Sequence, residues 1–236
     1  TYLNGTDFSS RFDYKIDSTG TLLRFSQAYN KSNYGLPGAL SSADLSRFNR
    51  RYSAYGDDHA KDVDYNFVLG FDQETGDLGK FSFDTSYRKR ETFTNFIGAN
   101  GGYNNPIVKS YIHTLGFNPK YVIDQSLFDL GNKAIIGLDF YRYDLQSDTY
   151  DLSMAKQSGN YVRKNSRAFY LQDELSLSNN LTFAGGWRYE DIGYDFNYND
   201  YSLFFPNPPV DSKINLMATA YNIGLTYKYN QGNIYA

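Results

Sequence analysis

Residues 167–190 read RAFYLQDELSLSNNLTFAGGWRYE, two alternating runs that meet at SNNL. The odd positions carry Phe169, Leu171, Leu175 and Leu177, then Leu181, Phe183, Trp187 and Tyr189. The even positions carry Gln172, Glu174 and Ser176, then Thr182, Arg188 and Glu190. Successive side chains of a strand point to opposite faces, so this is a β-hairpin with one aromatic, apolar face and one polar face. A helix would repeat its apolar positions every three or four residues instead.

The same two-residue period recurs about ten times along the chain. In DFSSRFDYKID (7–17), Phe8, Phe12, Tyr14 and Ile16 alternate with Asp7, Arg11, Asp13, Lys15 and Asp17. TLLRFSQAYN (21–30), DVDYNFVLGF (62–71), KFSFDTSYRK (80–89), SYIHTLGF (110–117), AIIGLDFYRYDL (134–145) and AYNIGLTYKY (220–229) read in the same way, and a last strand begins at Asn233. Short turns (DSTG, QETGD, SNNL, NQG) take turns with long polar segments at 31–61, 93–108, 146–163 and 195–214. The link at 118–132, which contains Pro119, is expected to be the irregular member. Such alternation of short and long links predicts an up-and-down antiparallel sheet with all its long loops at one end.

Composition narrows the class. The 236 residues include 24 Tyr and 18 Phe, an aromatic share of 18% that favours strands and membrane–water boundaries. A net charge of −3 leaves no nucleic-acid footprint, and the absence of cysteine excludes disulfides and thiol chemistry. No apolar run reaches the roughly eighteen residues of a membrane helix, but a transmembrane barrel needs only alternating segments of about ten. The alternating segments are of that length. Their polar faces carry successive charges that suit a wet lumen, and the pairs Trp187/Tyr189, Tyr227/Tyr229 and Tyr141/Tyr143 suit aromatic girdles. The predicted fold is therefore all-β, an antiparallel transmembrane β-barrel; a soluble β-sheet binding protein is the alternative.

The hairpin FYLQDELSLSNNLTFAGGWRYE resembles the mid-barrel hairpin of TonB-dependent outer-membrane receptors, in which a Y-x-Q-D-E strand precedes an L-T strand ending in G-x-R-Y-E/D. NYGLPGALS (33–41) is similar to the start of an extracellular loop in that family, and AIIGLDFYRYDL to its G-x-D-Y-Y strand. The resemblance implies a bacterial outer-membrane barrel of 22 strands with an N-terminal plug. It implies uptake of ferric siderophores, ahead of haem or cobalamin, energised through TonB. On that reading residues 1–236 are a barrel segment without the plug, a central part of a longer receptor. A complete ten-stranded barrel and a passive porin-like channel are the alternatives.

No enzyme signature emerges from the motifs. Ser110 and His113 fall on opposite faces of one strand; His113 stands among Tyr111, Leu115 and Phe117, and His59 sits beside Asp57 and Asp58. Asp57, Asp58, Asp62 and Asp64 are oxygen donors without a calcium-loop signature; neither a metal nor a cofactor is expected. Ligand contacts are expected instead from DLSRFNRRYSAYG (44–56), where Arg47, Arg50 and Arg51 are interleaved with Phe48, Tyr52 and Tyr55. Guanidinium groups pair with carboxylates and stack on rings, which suits an anionic aromatic iron chelate. Pairing with neighbouring acids or with lipopolysaccharide phosphates is the other use of such arginines. Tyr198, Tyr201, Phe204 and Phe205 form a second aromatic cluster beside Pro206, Pro208 and Pro209, and Arg88, Arg90 and Arg142 are expected to extend a basic vestibule.

Overall fold

Every alternating run forms a strand, and each strand pairs antiparallel with the next in sequence. The computed structural model describes residues 3–36, 38, 42–48, 52, 55–96, 107–203, 205–230 and 232–235. Its ten strands are β1 (Leu3–Ile16), β2 (Thr21–Gly35), β3 (His59–Glu74), β4 (Lys80–Asn95), β5 (Ile107–Leu127), β6 (Leu130–Tyr150), β7 (Lys156–Ser178), β8 (Leu181–Asp200), β9 (Val210–Tyr229) and β10 (Gly232–Tyr235). One short helix, α1 (Ser42–Arg47), lies in the link from β2 to β3.

Register keeps like with like. Phe12 faces Phe25, Phe25 faces Leu69, Leu115 faces Tyr87, and Trp187 stands between Leu171 and Tyr221. The opposite face sets Asp64 beside Arg90 and Asp13 beside Arg24. Among the described residues, the only buried apolar side chains are Ala60, Ile107 and Ala168. Most of the large ones on the strands stay exposed on one face, among them Leu69 by 54%, Leu115 by 51% and Tyr221 by 81%. A sheet this aromatic with no apolar core of its own has its solvent on that face, and the solvent is lipid.

The apolar band runs obliquely across the sheet. The hydrogen-bonded row that starts at Phe8 passes Tyr29, Tyr65, Lys89, His113, Asp144, Arg163 and Asp195 to reach Lys213 on β9. On β9 the band begins only at Tyr221, eight residues nearer the turn end. One residue per strand, at about 3.3 Å rise and about 4.8 Å strand spacing, is a tilt of about 35°. That is the stagger of a closed barrel, carried in the sequence of an open sheet.

The strands run from 14 residues in β1 to 23 in β7, β10 apart, longer than the alternating segments. About 23 residues at 3.3 Å each give some 75 Å, far more than a tilted crossing of a 25 Å apolar band needs. The excess lies at the long-loop end. Residues 146–163 and 195–214, expected as loops, are mostly paired strand, and the unpaired links shrink to 151–155 and 201–209. Beyond the membrane both faces meet water, so alternation fades although the ladder continues.

The link at 118–132 is also corrected. β5 and β6 continue to a two-residue turn, Phe128 (φ 54°) and Asp129 (φ 62°), between paired Leu127 and Leu130. Two positive φ values are the type I′ geometry that matches strand twist. Pro119 sits inside β5, pairs with Phe83 on β4, and interrupts only the ladder to β6. A missing N–H costs one rung, not the strand. Tyr141 and Tyr143 are likewise corrected: they share the polar face with Asp139, so they line the inside and not an outer girdle.

Gly79 closes the turn between β3 and β4 with φ 121°, and a Cβ there would lie 2.2 Å from the Val122 carbonyl oxygen. Gly79→Ala is expected to destabilise the barrel by about 1–3 kcal/mol, readable as a lower denaturant midpoint. An unchanged midpoint would mean that the turn has room to rearrange.

Candidate functional site

The polar face is a wall of paired charges. Arg24 reaches Asp72 at 3.2 Å and Asp84 at 3.0 Å, while Lys80 reaches Asp72 at 3.3 Å. Further toward the loop end, Arg88 donates through Nε to both Asp64 oxygens at 3.0 and 3.1 Å. Asp62 accepts from Tyr34 at 3.0 Å, Arg90 at 3.3 Å and Thr92 at 2.7 Å. Asp62 and Asp64 are thus consumed by ion pairs, and among the described residues no acidic or histidine cluster has the arrangement of a metal site.

A second network spans β5 to β8. Asn118 donates to Asp139 and to the Tyr141 hydroxyl, both at 2.8 Å. Arg188 reaches Asp139 at 2.5 Å through Nη1 and Glu190 at 3.4 Å through Nε. Ser166 donates to Glu190. Asp139, Ala168 and Glu190 share one row, so the small Ala168 between the two acids is the gap that Arg188 crosses. Ala168 is 4% exposed as a result.

Above this network the inner wall turns aromatic. Tyr143, Lys164 and Tyr194 are neighbours on one row, and Phe196 and Tyr198 continue along β8. The Lys164 ammonium lies 5.7 Å from the Tyr194 ring centroid, and neither residue has a partner carboxylate within 4 Å among the described residues. An ammonium among phenols offers charge, hydrogen bonds and flat contact area to an anionic aromatic ligand.

The expected site residues are distributed between this wall and its loops. Arg47 ends α1; Tyr52 stacks on Phe48 with ring centroids 4.0 Å apart, and Tyr55 lies against Gly38. Arg50, Arg51 and Phe204 lie outside the described residues. Arg88 faces the lumen, as expected of a vestibule arginine, but Asp64 already holds it. Arg142 departs from the expectation: it occupies the outward face, next to Leu115, because its even position on β6 has the parity of Leu138 and Phe140. Tyr198 points inward and donates to Asp200 at 3.5 Å, and Tyr201 carries Lys156 at 5.2 Å from its ring. His113 accepts or donates a hydrogen bond at 3.0 Å with the Tyr87 hydroxyl on the outward face, and His59 sits 5.9 Å from Phe93. No sequence motif singles out Lys164, Tyr194 and Phe196 as site residues, and Tyr143 reads there only as a girdle residue. Their signal is parity: they continue the inward positions past the end of the apolar band.

Asp200 organises the loop from β8 to β9. Its carboxylate accepts from the backbone N–H groups of Ser202 and Asn207, each at 2.9 Å, and from the Asn207 amide at 2.8 Å. These bonds, led by that of Asn207, hold its pKa below the usual carboxylate range. A depressed folded pKa leaves the clamp complete above the unfolded value of about 4, and lost only as pH falls through the lower folded value. The amide exchange of Ser202 and Asn207 is therefore expected to show no clamp loss between pH 7 and 4. Asp200→Ala should speed proteolytic nicking at 201–209 several-fold at pH 7. Nicking at the wild-type rate would show that the prolines alone order the loop.

Residues 2–236 match the family described as "TonB dependent receptor-like, beta-barrel". The chain belongs to the TonB-dependent receptor barrels. Their resemblance in solved structures is one of fold. The ferric citrate transporter FecA in its unliganded form superposes with a TM-score of 0.83 at 17% identity, over 99% of this chain and 35% of FecA. The siderophore receptor PiuA from Acinetobacter baumannii gives 0.77 at 12%, over 99% and 41%. The ferric yersiniabactin uptake receptor FyuA from Yersinia pestis gives 0.74 at 13%, over 99% and 37%. The chain thus spans about a third to two fifths of these receptors. No curated protein matches it. Within this TonB-dependent receptor barrel, a bacterial outer-membrane protein, Asp139 and Arg188 come from two of the three segments that carry the family resemblance. The sheet brings those two motifs into one ion pair.

Proposed function

We propose that this segment forms part of the wall of a receptor that captures an anionic ferric siderophore and imports it with energy passed through TonB. The observation that carries the reading is the inward row Tyr143–Lys164–Tyr194 at the loop end, above the inward ion pairs Arg24–Asp72, Arg88–Asp64 and Arg188–Asp139. Arg47, Arg50, Arg51, Tyr52 and Tyr55 would meet the ligand from the loop above, with Arg88, Tyr198 and Tyr201 around the opening. Iron arrives as cargo, held by its chelator, and no bond is made or broken by these residues. A plug supplied elsewhere in a 22-stranded receptor would close the lumen and contact TonB.

The test is uptake of ⁵⁵Fe-labelled siderophores of catecholate, carboxylate and hydroxamate type by cells whose full receptor carries this segment. At least one should enter in an energy-dependent way, and Lys164→Ala/Tyr194→Ala should weaken its binding. Entry that survives dissipation of the proton gradient would favour the passive channel. Binding unchanged in the double variant would remove the row from the site.

A further inference from the structure

One row nearer the loops than Tyr143, Lys164 and Tyr194, the inner wall carries Ile112, Leu145, Val162 and Phe196. They lie on the successive strands β5 to β8, each opposite the next, and all four are half-buried. Residues directly opposite on one face stand side by side, so the four form a continuous apolar stripe. With strands about 4.8 Å apart, the stripe is about 14 Å long. Polar residues enclose it. On the same row Arg90 precedes Ile112 and Ser212 follows Phe196. The next row toward the loops is Ser110, Ser147, Asn160 and Tyr198, with the two serine hydroxyls hydrogen-bonded at 2.9 Å.

Lipid does not explain a stripe that faces the lumen, and among the described residues no other strand packs on it. Apolar surface held open in water marks a binding surface. Its shape and chemistry say for what. Three of the four side chains are aliphatic, and the stripe is one residue wide. A flat ring would stack better on Tyr143 or Tyr194, whereas an alkyl chain lying across the strands matches both length and width. The cation is close by: Val162 and Lys164 project from the same face of β7, about 7 Å apart. The wall therefore offers an anion-binding group and an apolar track side by side. The loop that leaves β8 adds Leu203 and Phe205, 90% and 98% exposed, so apolar surface is offered at the mouth as well.

We propose that the imported chelate is an amphiphile, an anionic iron-binding head with an aliphatic tail. The head sits on the Lys164 ammonium between the phenols of Tyr143 and Tyr194. The tail lies along Val162, Leu145 and Ile112, with Phe196 at the other end of the track. Each methylene it lays on the stripe leaves water together with the side chain beneath it. The tail site rests on the siderophore reading above and narrows its substrate class.

The test is equilibrium dialysis of ⁵⁵Fe-labelled chelates against the full receptor in lipid nanodiscs, with empty nanodiscs correcting for partition into lipid. The probes are ferric catecholate, carboxylate and hydroxamate chelates, each bare and with an octanoyl tail. At least one head group should bind about tenfold more tightly with its tail, the gain expected from full burial of only about two methylenes. Leu145→Thr/Val162→Thr should remove that gain and leave the bare chelate bound as before. Val162→Thr, nearly isosteric, should remove part of it, and Lys164→Ala should weaken bare and tailed forms alike. Equal binding of bare and tailed forms overturns the tail site and leaves the siderophore reading standing; a plug or loop seated on the stripe gives this result. A tail gain that survives in both threonine variants overturns it too. Failure of every head group to bind overturns both readings.

Discussion

Leu138→Arg is expected to destabilise the barrel by about 2–4 kcal/mol, while Ile135→Arg, three residues away, should cost at most about 1 kcal/mol. The difference lies in which solvent each position meets. Leu138 stands on the outward face between Ile136 and Phe140, near the middle of the β6 apolar band. An arginine there must leave its charge in hydrocarbon or thin the bilayer around it. Ile135 has the opposite parity and faces the lumen beside Gln172, where water and polar groups solvate a guanidinium. Guanidinium-induced unfolding of the full receptor in lipid vesicles reads both. Similar costs at the two positions would mean that the faces have been assigned wrongly.

Removing Arg188 should be the most damaging change on the inner wall. Arg188→Leu leaves Asp139 and Glu190 without their shared cation, and their side chains are only 16% and 25% exposed. Breaking a fully buried pair costs about 3–5 kcal/mol, and the partial exposure here reduces that to about 1–3 kcal/mol. The distinctive expectation is recovery. Adding Asp139→Asn to Arg188→Leu should restore part of the loss, because most of that loss comes from the carboxylate left without its cation. A double variant that is worse by the sum of the two single changes would show that the pair is not coupled.

The membrane-spanning part of the fold is legible in the sequence because lipid writes one face of every strand in apolar residues. The alternation of Phe8 to Ile16 with Asp7 to Lys15 can be read residue by residue. What cannot be read is whatever lies above the lipid. There Lys156 to Tyr161 continue β7 with no apolar face to betray them, and a turn as short as Phe128–Asp129 hides behind Pro119. The site is less legible for the same reason. Nearness in sequence and expected height group the arginines together, whereas parity decides whether a side chain faces ligand or lipid. Parity puts Arg88 inside and Arg142 outside, and adds Lys164 and Tyr194 to the inner wall. No local motif announces the meeting of Asp139 with Arg188, since it depends on register across two intervening ladders.

The most direct measurement is a single-cysteine scan through residues 181–200 of the full receptor in membranes, made clean within this segment by its lack of cysteine. Each cysteine would carry a spin label, with oxygen and a nickel chelate as the lipid-phase and water-phase relaxants. From 181 to 189 the odd positions should favour oxygen and the even positions the nickel chelate. Beyond Tyr189 the nickel chelate should reach both. Equal access of the nickel chelate to odd and even positions between 181 and 189 would contradict a lipid-facing barrel wall and favour a sheet with water on both sides.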